Sequence, residues 1–139
     1  MIHLLDTATW SNLVTMPEVL PERIARILRN PAPNKGLCSV SLLECAIHHR
    51  RGRLDFKGTL RQFFAAGLAS DIELLDLTPD IALASNELPR DFPGDPFDRT
   101  IAATARVMNL KRITPDQIIR DAQFCQVEYY PFRPSRRKP

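Results

Sequence analysis

Short apolar runs alternate along this chain with longer segments whose apolar residues recur at helical spacing. The short runs predict strands at residues 2–5, 36–40, 72–77, 111–114 and 125–129. The segments between them predict helices at residues 17–29, 41–51, 60–68, 79–87, 96–109 and 116–121. Strands that alternate with helices form parallel βαβ units. The sequence therefore predicts an α/β fold, with a central parallel sheet of four to five strands and helices on both faces.

The length of the chain, 139 residues, is enough for one domain with one core. We assign residues 1–130 to this domain and residues 131–139 to a basic tail that we expect to be flexible. No apolar run approaches the roughly 20 residues that cross a membrane, and the start of the chain lacks the features of a signal peptide. Three cysteines without a C-x-x-C pair predict reduced core thiols. A cytoplasmic protein is expected.

Charge is distributed unevenly along the chain, although the net charge is only +3. The tail carries four basic residues and no acid, whereas residues 71–98 contain eight acids and the single basic residue Arg90. A nucleic acid that meets basic side chains directly and acidic ones through a metal ion would suit both regions. A tail that serves only solubility is the alternative.

Four acids are predicted to lie where strands end or helices begin. Asp6 follows the first strand, and Asp116 follows the fourth. Glu44 and Asp98 fall in the predicted first turns of two helices. In an open α/β sheet these positions share the edge at which ligands bind. Crowded carboxylates stay ionised when a cation joins them, and Mg²⁺ or Mn²⁺ suits oxygen ligands.

Each of these acids also has a purely structural explanation. Ser41 and Glu44 have the spacing of a capping box, in which Glu44 would bond to the backbone at the helix start. Asp6 and Asp116 could cap the helices that follow them, and Asp95 could cap the helix that contains Asp98. The residues taken singly favour caps, whereas their joint placement on one edge favours a metal site.

A basic cluster follows Glu44 by about one helix length, at residues 48–53. Arg50, Arg51 and Arg53 are predicted either to contact phosphates or to form a solvated helix end that complements the helix dipole. The glycine-rich motifs of nucleotide-binding proteins and the G-x-S-x-G motif of hydrolases are missing from the sequence. A phosphoaspartate receiver is disfavoured, because such a protein needs adjacent acids after its first strand.

Several segments resemble, in order and spacing, those of PIN-domain proteins, and in particular the VapC-type toxins of bacterial type II toxin–antitoxin pairs. The resemblance covers residues 2–127, and its most specific part is Asp95-Pro96-Phe97-Asp98-Arg99 before an alanine-rich helix. The other segments are Leu4-Leu5-Asp6-Thr7, Ser39-Val40-Ser41-Leu42-Leu43-Glu44, His49-Arg50-Arg51-Gly52-Arg53-Leu54 and Ile113-Thr114-Pro115-Asp116.

The resemblance implies a metal-dependent endoribonuclease. Its metal-binding and catalytic acids match Asp6, Glu44, Asp98 and Asp116, the last acting directly or through water. Thr7, Asp95 and Thr114 are implied as supporting residues, and Arg99 joins the basic cluster as a possible RNA contact. The implied partners are RNA, a small antitoxin and a second copy of the chain. The alternative is a non-catalytic RNA-binding or protein-interaction module on the same fold.

Overall fold

A computed structural model describes residues 1–32, 34–68 and 71–133 of the chain. Most of the predicted basic tail, residues 134–139, lies outside the described residues, so the prediction of a flexible tail is not addressed. None of the helices in the described ranges has the length and apolar character that crossing a bilayer requires.

The described part of the chain contains a five-stranded sheet, as the alternating pattern predicts. The order across the sheet is β3-β2-β1-β4-β5, and every neighbouring pair is parallel. From the central strand β1 the chain passes to β2 and β3 on one side, and it then crosses over to β4 and β5 on the other side. This is the switch point at which open α/β sheets bind ligands. The strands are β1 (His3–Leu5), β2 (Lys35–Cys38), β3 (Ile72–Leu75), β4 (Lys111–Thr114) and β5 (Val127–Tyr129).

Helices connect the strands and cover both faces of the sheet. Side chains that alternate along a strand point to opposite faces: Leu5 packs in a cluster with Trp10 and Ile24, and Leu4 packs in another with Ile101 and Ala105. The α/β prediction with helices on both faces is therefore confirmed. In the described residues the α-helices are α1 (Thr7–Thr15), α2 (Glu22–Arg29), α3 (Val40–Arg50), α4 (Leu60–Gly67), α5 (Pro79–Asn86), α6 (Pro96–Val107) and α7 (Gln117–Ala122).

One predicted helix, at residues 17–29, is wrong as a continuous element. A 3-10 turn at Pro17–Val19 is followed by a break, and α2 starts only at Glu22. Leu20 is extended because it precedes Pro21, and a residue before proline avoids helical backbone angles. The apolar residues of this segment do recur at helical spacing, but Pro21 divides the segment in two.

The core holds α6 close to the sheet. Its buried side chains Ala102, Ala103 and Ala105 are small, which lets the helix backbone approach the strands. On the other face, Trp10 is fully buried and its indole N–H donates to the carbonyl of Gly67 at 2.8 Å. Both faces are therefore fixed by close packing, and the helix starts above the strand ends are held in defined positions.

Candidate active site

The four predicted acids line one pocket. Asp6, Glu44, Asp98 and Asp116 all contribute to an open cavity of about 330 Å³ at the carboxyl ends of the central strands. Asp6, Glu44 and Asp116 come together because β1, β2 and β4 are neighbours, so the segments that follow these strands meet at one edge. Asp98 joins them from the start of α6, the helix that leads into β4. A larger groove of about 650 Å³, between α6, α7 and β5, has no acid in its lining.

Asp6 is buried and uses both carboxylate oxygens. Its Oδ1 accepts the backbone N–H of Ala8 at 2.9 Å and thereby caps α1. Its Oδ2 accepts the Nε and Nη2 donors of Arg112 at 3.0 and 2.8 Å. The predicted cap is thus present, and it coexists with a position at the pocket wall.

Glu44 does not belong to a capping box, so that structural explanation is wrong. Helix α3 already begins at Val40, one residue before Ser41, and Glu44 lies beyond its first turn. The hydroxyl of Ser41 bonds instead to the hydroxyl of Thr7, at 2.7 Å. The side chain of Glu44 therefore lines the pocket, and its Oε2 atom lies 3.7 Å from the Nε2 atom of His48.

The environment of Glu44 favours its protonated form. Burial raises the pKa of this carboxyl above its ordinary value, and the negative charges of Asp98 and Asp6 raise it further. The nearby hydroxyl of Thr7 acts in the opposite direction and lowers the pKa of Glu44, and an assisting role of Thr7 stays a prediction. A cation in the pocket would reverse this balance.

Asp95 and Asp98 have different hydrogen-bond partners at the start of α6. Asp95 caps the helix, because its Oδ1 accepts the N–H groups of Phe97 and Asp98 at 2.8 and 3.2 Å. Asp98 is therefore free of capping, and its Oδ1 accepts the Nη2 donor of Arg112 at 2.7 Å. Burial raises the pKa of Asp98, and the charge of Arg112 opposes that rise.

Asp116 stands between β4 and α7. One of its oxygens, Oδ1, accepts the N–H groups of Ile118 and Ile119 at 2.8 and 3.4 Å and caps α7. The buried hydroxyl of Thr114 accepts the backbone N–H of Asp116 at 3.1 Å. Thr114 thus fixes the turn that carries the acid, and its role in orienting the site stays a prediction.

Arg112 is a site residue that the sequence interpretation missed. Its guanidinium is fully buried and bridges Asp6 and Asp98. Burial opposes its charged form, but the two carboxylates outweigh that effect and raise the pKa of Arg112. A charged residue inside a short strand of a sheet covered on both faces needs a buried partner. That signal was available in the sequence.

The predicted basic residues occupy different places. Gly52 ends α3 with a φ of +68°, and the N–H of Arg53 then bonds to the carbonyl of His48 at 2.8 Å. This turn brings Arg53 to the pocket lining, whereas Arg50 and Arg51 are exposed at the end of the helix. The position of Arg50 and Arg51 fits the helix-end explanation, whereas contact of Arg53 with a phosphate stays a prediction.

Arg99 has intramolecular partners. Its guanidinium donates to the carbonyls of Phe92, Ser85 and Leu88 at 3.3, 3.3 and 3.4 Å and lies over the Phe92 ring. These contacts hold the loop between α5 and α6. Contact of Arg99 with RNA stays a prediction.

A divalent cation fits the chemistry of the donor set. Four carboxylates line one pocket, and hard oxygen ligands are those that Mg²⁺ and Mn²⁺ prefer. Among the described residues, however, no three His, Cys, Asp or Glu side chains are gathered closely enough to hold an ion as they stand. Arg112 accounts for part of this arrangement, because it holds one oxygen of Asp6 and one of Asp98.

Comparison with solved structures shows the same fold in toxin–antitoxin complexes. A chain of a DNA-bound VapBC from Salmonella typhimurium aligns with a TM-score of 0.73 and 19% identity, over 93% of this chain and 98% of that one. A chain of VapBC2 from Rickettsia felis, bound to a promoter DNA fragment, aligns with a TM-score of 0.68 and 17% identity over the same shares.

Sequence comparison gives a closer but shorter match. The protein Ribonuclease VapC22 of Mycobacterium tuberculosis is 40% identical over 53 residues, which are 38% of this chain. The match spans only 41% of the length of that curated relative. The sequence model of the PIN domain matches residues 3–124, which include all four acids of the pocket. With the parallel sheet and the pocket at its carboxyl edge, this match shows that the chain belongs to the PIN domain family.

Proposed function

We propose that this chain is a Mg²⁺- or Mn²⁺-dependent endoribonuclease and the toxin of a bacterial toxin–antitoxin pair. The observation that carries the proposal is the convergence of Asp6, Glu44, Asp98 and Asp116 on one pocket. The likeness to a ribonuclease and to VapBC complexes supports the substrate class and the kind of partner. The cytoplasm, where RNA is exposed, is the expected location.

In this proposal the four acids hold the cation, and the basic residues that line the same pocket hold the RNA. When bound, the cation supplies an acidified water molecule as nucleophile and offsets negative charge on the scissile phosphate. Thr7 and Thr114 orient Glu44 and the Asp116 turn through their hydroxyl groups. Arg53 and His48 line the same pocket and are placed to contact a phosphate of the bound strand.

Asp98→Asn is the substitution that tests this proposal most cleanly. Asp95 caps α6, so Asp98 has no capping task, and an amide oxygen at position 98 can still accept from Arg112. We expect a folded variant whose cleavage rate falls by orders of magnitude, because one charged ligand is lost. The assay is cleavage of total cellular RNA with Mg²⁺, with Mn²⁺ and with EDTA.

Asp121→Asn is the matched control. Asp121 is an exposed acid at the end of α7 that pairs with its neighbour Arg120 and takes no part in the pocket. Its substitution should leave cleavage unchanged. Equal cleavage by the wild type and by Asp98→Asn would overturn the proposed site. RNA binding without cleavage by the wild type or by Asp98→Asn would favour the non-catalytic module. In such a module Arg112 would be the permanent partner of Asp6 and Asp98 in place of a metal ion.

A small antitoxin and a second copy of the chain complete the proposal. Growth arrest of a bacterial host on expression of this chain, relieved when a small protein that binds the chain is expressed with it, would support the toxin assignment. For the homodimer, the exposed side chains of Leu74, Val107 and Met108 line one groove beside the edge strand β3. Exposed apolar patches of this kind mark interfaces. Sedimentation of the purified chain as a monomer at micromolar concentration would contradict the homodimer.

A further inference from the structure

Arg112 combines features that a purely catalytic or a purely packed residue does not need. Its side chain is 0% exposed, yet it carries a full charge next to the pocket of acids. It donates to Asp6 through two nitrogens and to both the backbone carbonyl and the carboxylate of Asp98, at 3.2 and 2.7 Å. The two acids come from separate elements, the end of β1 and the start of α6.

We propose that Arg112 is a resident counter-cation that fixes Asp6 and Asp98 in the metal-free protein and weakens the binding of the divalent cation. The inference rests on the proposed metal dependence and adds a residue that sets the strength of metal binding.

The direction of the effect follows from a competition between two consequences of removing the charge. Loss of the guanidinium frees an oxygen on each of two carboxylates and removes a repulsive positive charge, so a divalent cation binds more tightly. It also loosens the positions of Asp6 and Asp98, which weakens binding. Repulsion between two positive charges a few ångströms apart in a protein is strong enough to weaken the binding of a cation by more than about tenfold. We therefore expect the loss of the positive charge to dominate metal affinity, which rises. The loosened positions of Asp6 and Asp98 should instead lower the rate of turnover.

A purely structural ion pair makes the opposite prediction. If Arg112 only held β4 against α6, its removal would lower stability, metal affinity and turnover together. Tighter metal binding with slower turnover is therefore the signature that separates the two explanations. Arg112 acts in this proposal as a positioning residue, because it reaches the reaction only through the two acids.

The experiment measures Mn²⁺ binding by electron paramagnetic resonance, and thermal unfolding in EDTA and in Mn²⁺, for wild type and for Arg112→Gln. We expect about tenfold tighter Mn²⁺ binding in the variant, a lower melting temperature in EDTA and a larger rise on adding Mn²⁺. The RNA cleavage rate at saturating Mn²⁺ should fall. An affinity equal to or weaker than that of the wild type, in a variant that folds, would overturn the inference.

Two further variants make the outcome decisive. Arg106→Gln removes the same charge from an exposed side chain of α6 that lies over the Phe124 ring, outside the pocket, and should leave Mn²⁺ affinity unchanged. Arg112→Lys keeps the charge without the bidentate geometry. We expect it to bind Mn²⁺ within about threefold of the wild type, while turnover falls. If Arg112→Gln does not fold, a tenfold change of affinity in Arg112→Lys would overturn the inference.

The failure of this inference is distinguishable from the failure of the proposed function. If the wild type binds no Mn²⁺, both the proposed function and the inference are refuted. If it binds Mn²⁺ but does not cut RNA, only the ribonuclease activity is refuted. If Arg112→Gln has unchanged Mn²⁺ affinity, only the role of the guanidinium is refuted.

Discussion

Asp6→Asn changes one acid of the pocket by a single atom, yet the structure predicts a large loss of stability. Asp6 accepts hydrogen bonds on both oxygens, from Ala8 on Oδ1 and from Arg112 on Oδ2. An asparagine has only one acceptor oxygen. If that oxygen keeps the cap of α1, the amide NH₂ group faces the buried guanidinium, so that two donors meet.

The magnitude follows from the bonds that are lost. Hydrogen bonds to charged groups contribute roughly 1.5–3 kcal/mol each, and Arg112 makes two of them to Asp6. Asp98 still pairs with the guanidinium and compensates in part. We therefore expect the free energy of unfolding to fall by about 2–4 kcal/mol. For a chain of this size that corresponds to a drop in melting temperature of about 10 °C.

Asp116→Asn provides the matched comparison within the same pocket. Both backbone bonds of Asp116 go to the same oxygen, Oδ1, so an asparagine can keep the cap of α7 intact. Asparagine and aspartate cap helices about equally well, so the change in unfolding free energy should stay within about 0.5 kcal/mol. The assay is urea unfolding of both variants in EDTA, so that no metal contributes. If Asp6→Asn unfolds within about 0.5 kcal/mol of Asp116→Asn, the buried pair does not stabilise the fold as we argue.

Three further predictions concern the fold and its dependence on pH. Lys35→Met should lower the free energy of unfolding by roughly 2–4 kcal/mol in urea, because the buried ammonium group bonds to two carbonyls and to Asp71; an unchanged midpoint would contradict this. Gly67→Ala should cost about 1–3 kcal/mol by the same measurement, because an added Cβ would lie 2.7 Å from the Trp10 ring; a neutral effect would mean that the ring moves away at no cost. In EDTA, the unfolding free energy should fall as pH rises from the ordinary to the raised pKa of Glu44, since the folded protein binds more protons in that interval. Glu44→Gln should flatten that slope, and an equally steep slope in the variant would assign it to another group.

Much of the site could be predicted from the sequence because its positions follow from the chain direction of parallel strands. Asp6 and Asp116 directly follow apolar runs, and parallel strands place such residues at one edge. The capping motif around Asp95 is local, so its spacing alone was sufficient. The motif around Ser41 was equally regular, yet Ser41 bonds to Thr7, which lies 34 residues away. A local pattern does not reveal that a distant hydroxyl will compete for the same side chain.

The sequence by itself determined the class of fold, the four acids that reach the carboxyl edge and the caps of α1, α6 and α7. These features depend on periodicity and on capping, which act over a few residues. Only the tertiary structure decided that Arg112 lies between Asp6 and Asp98. Their pairing joins residues separated by 106 and 14 positions. It exists because β4 lies beside β1 and α6 packs over both, which removes water from the guanidinium and leaves the two carboxylates as its partners.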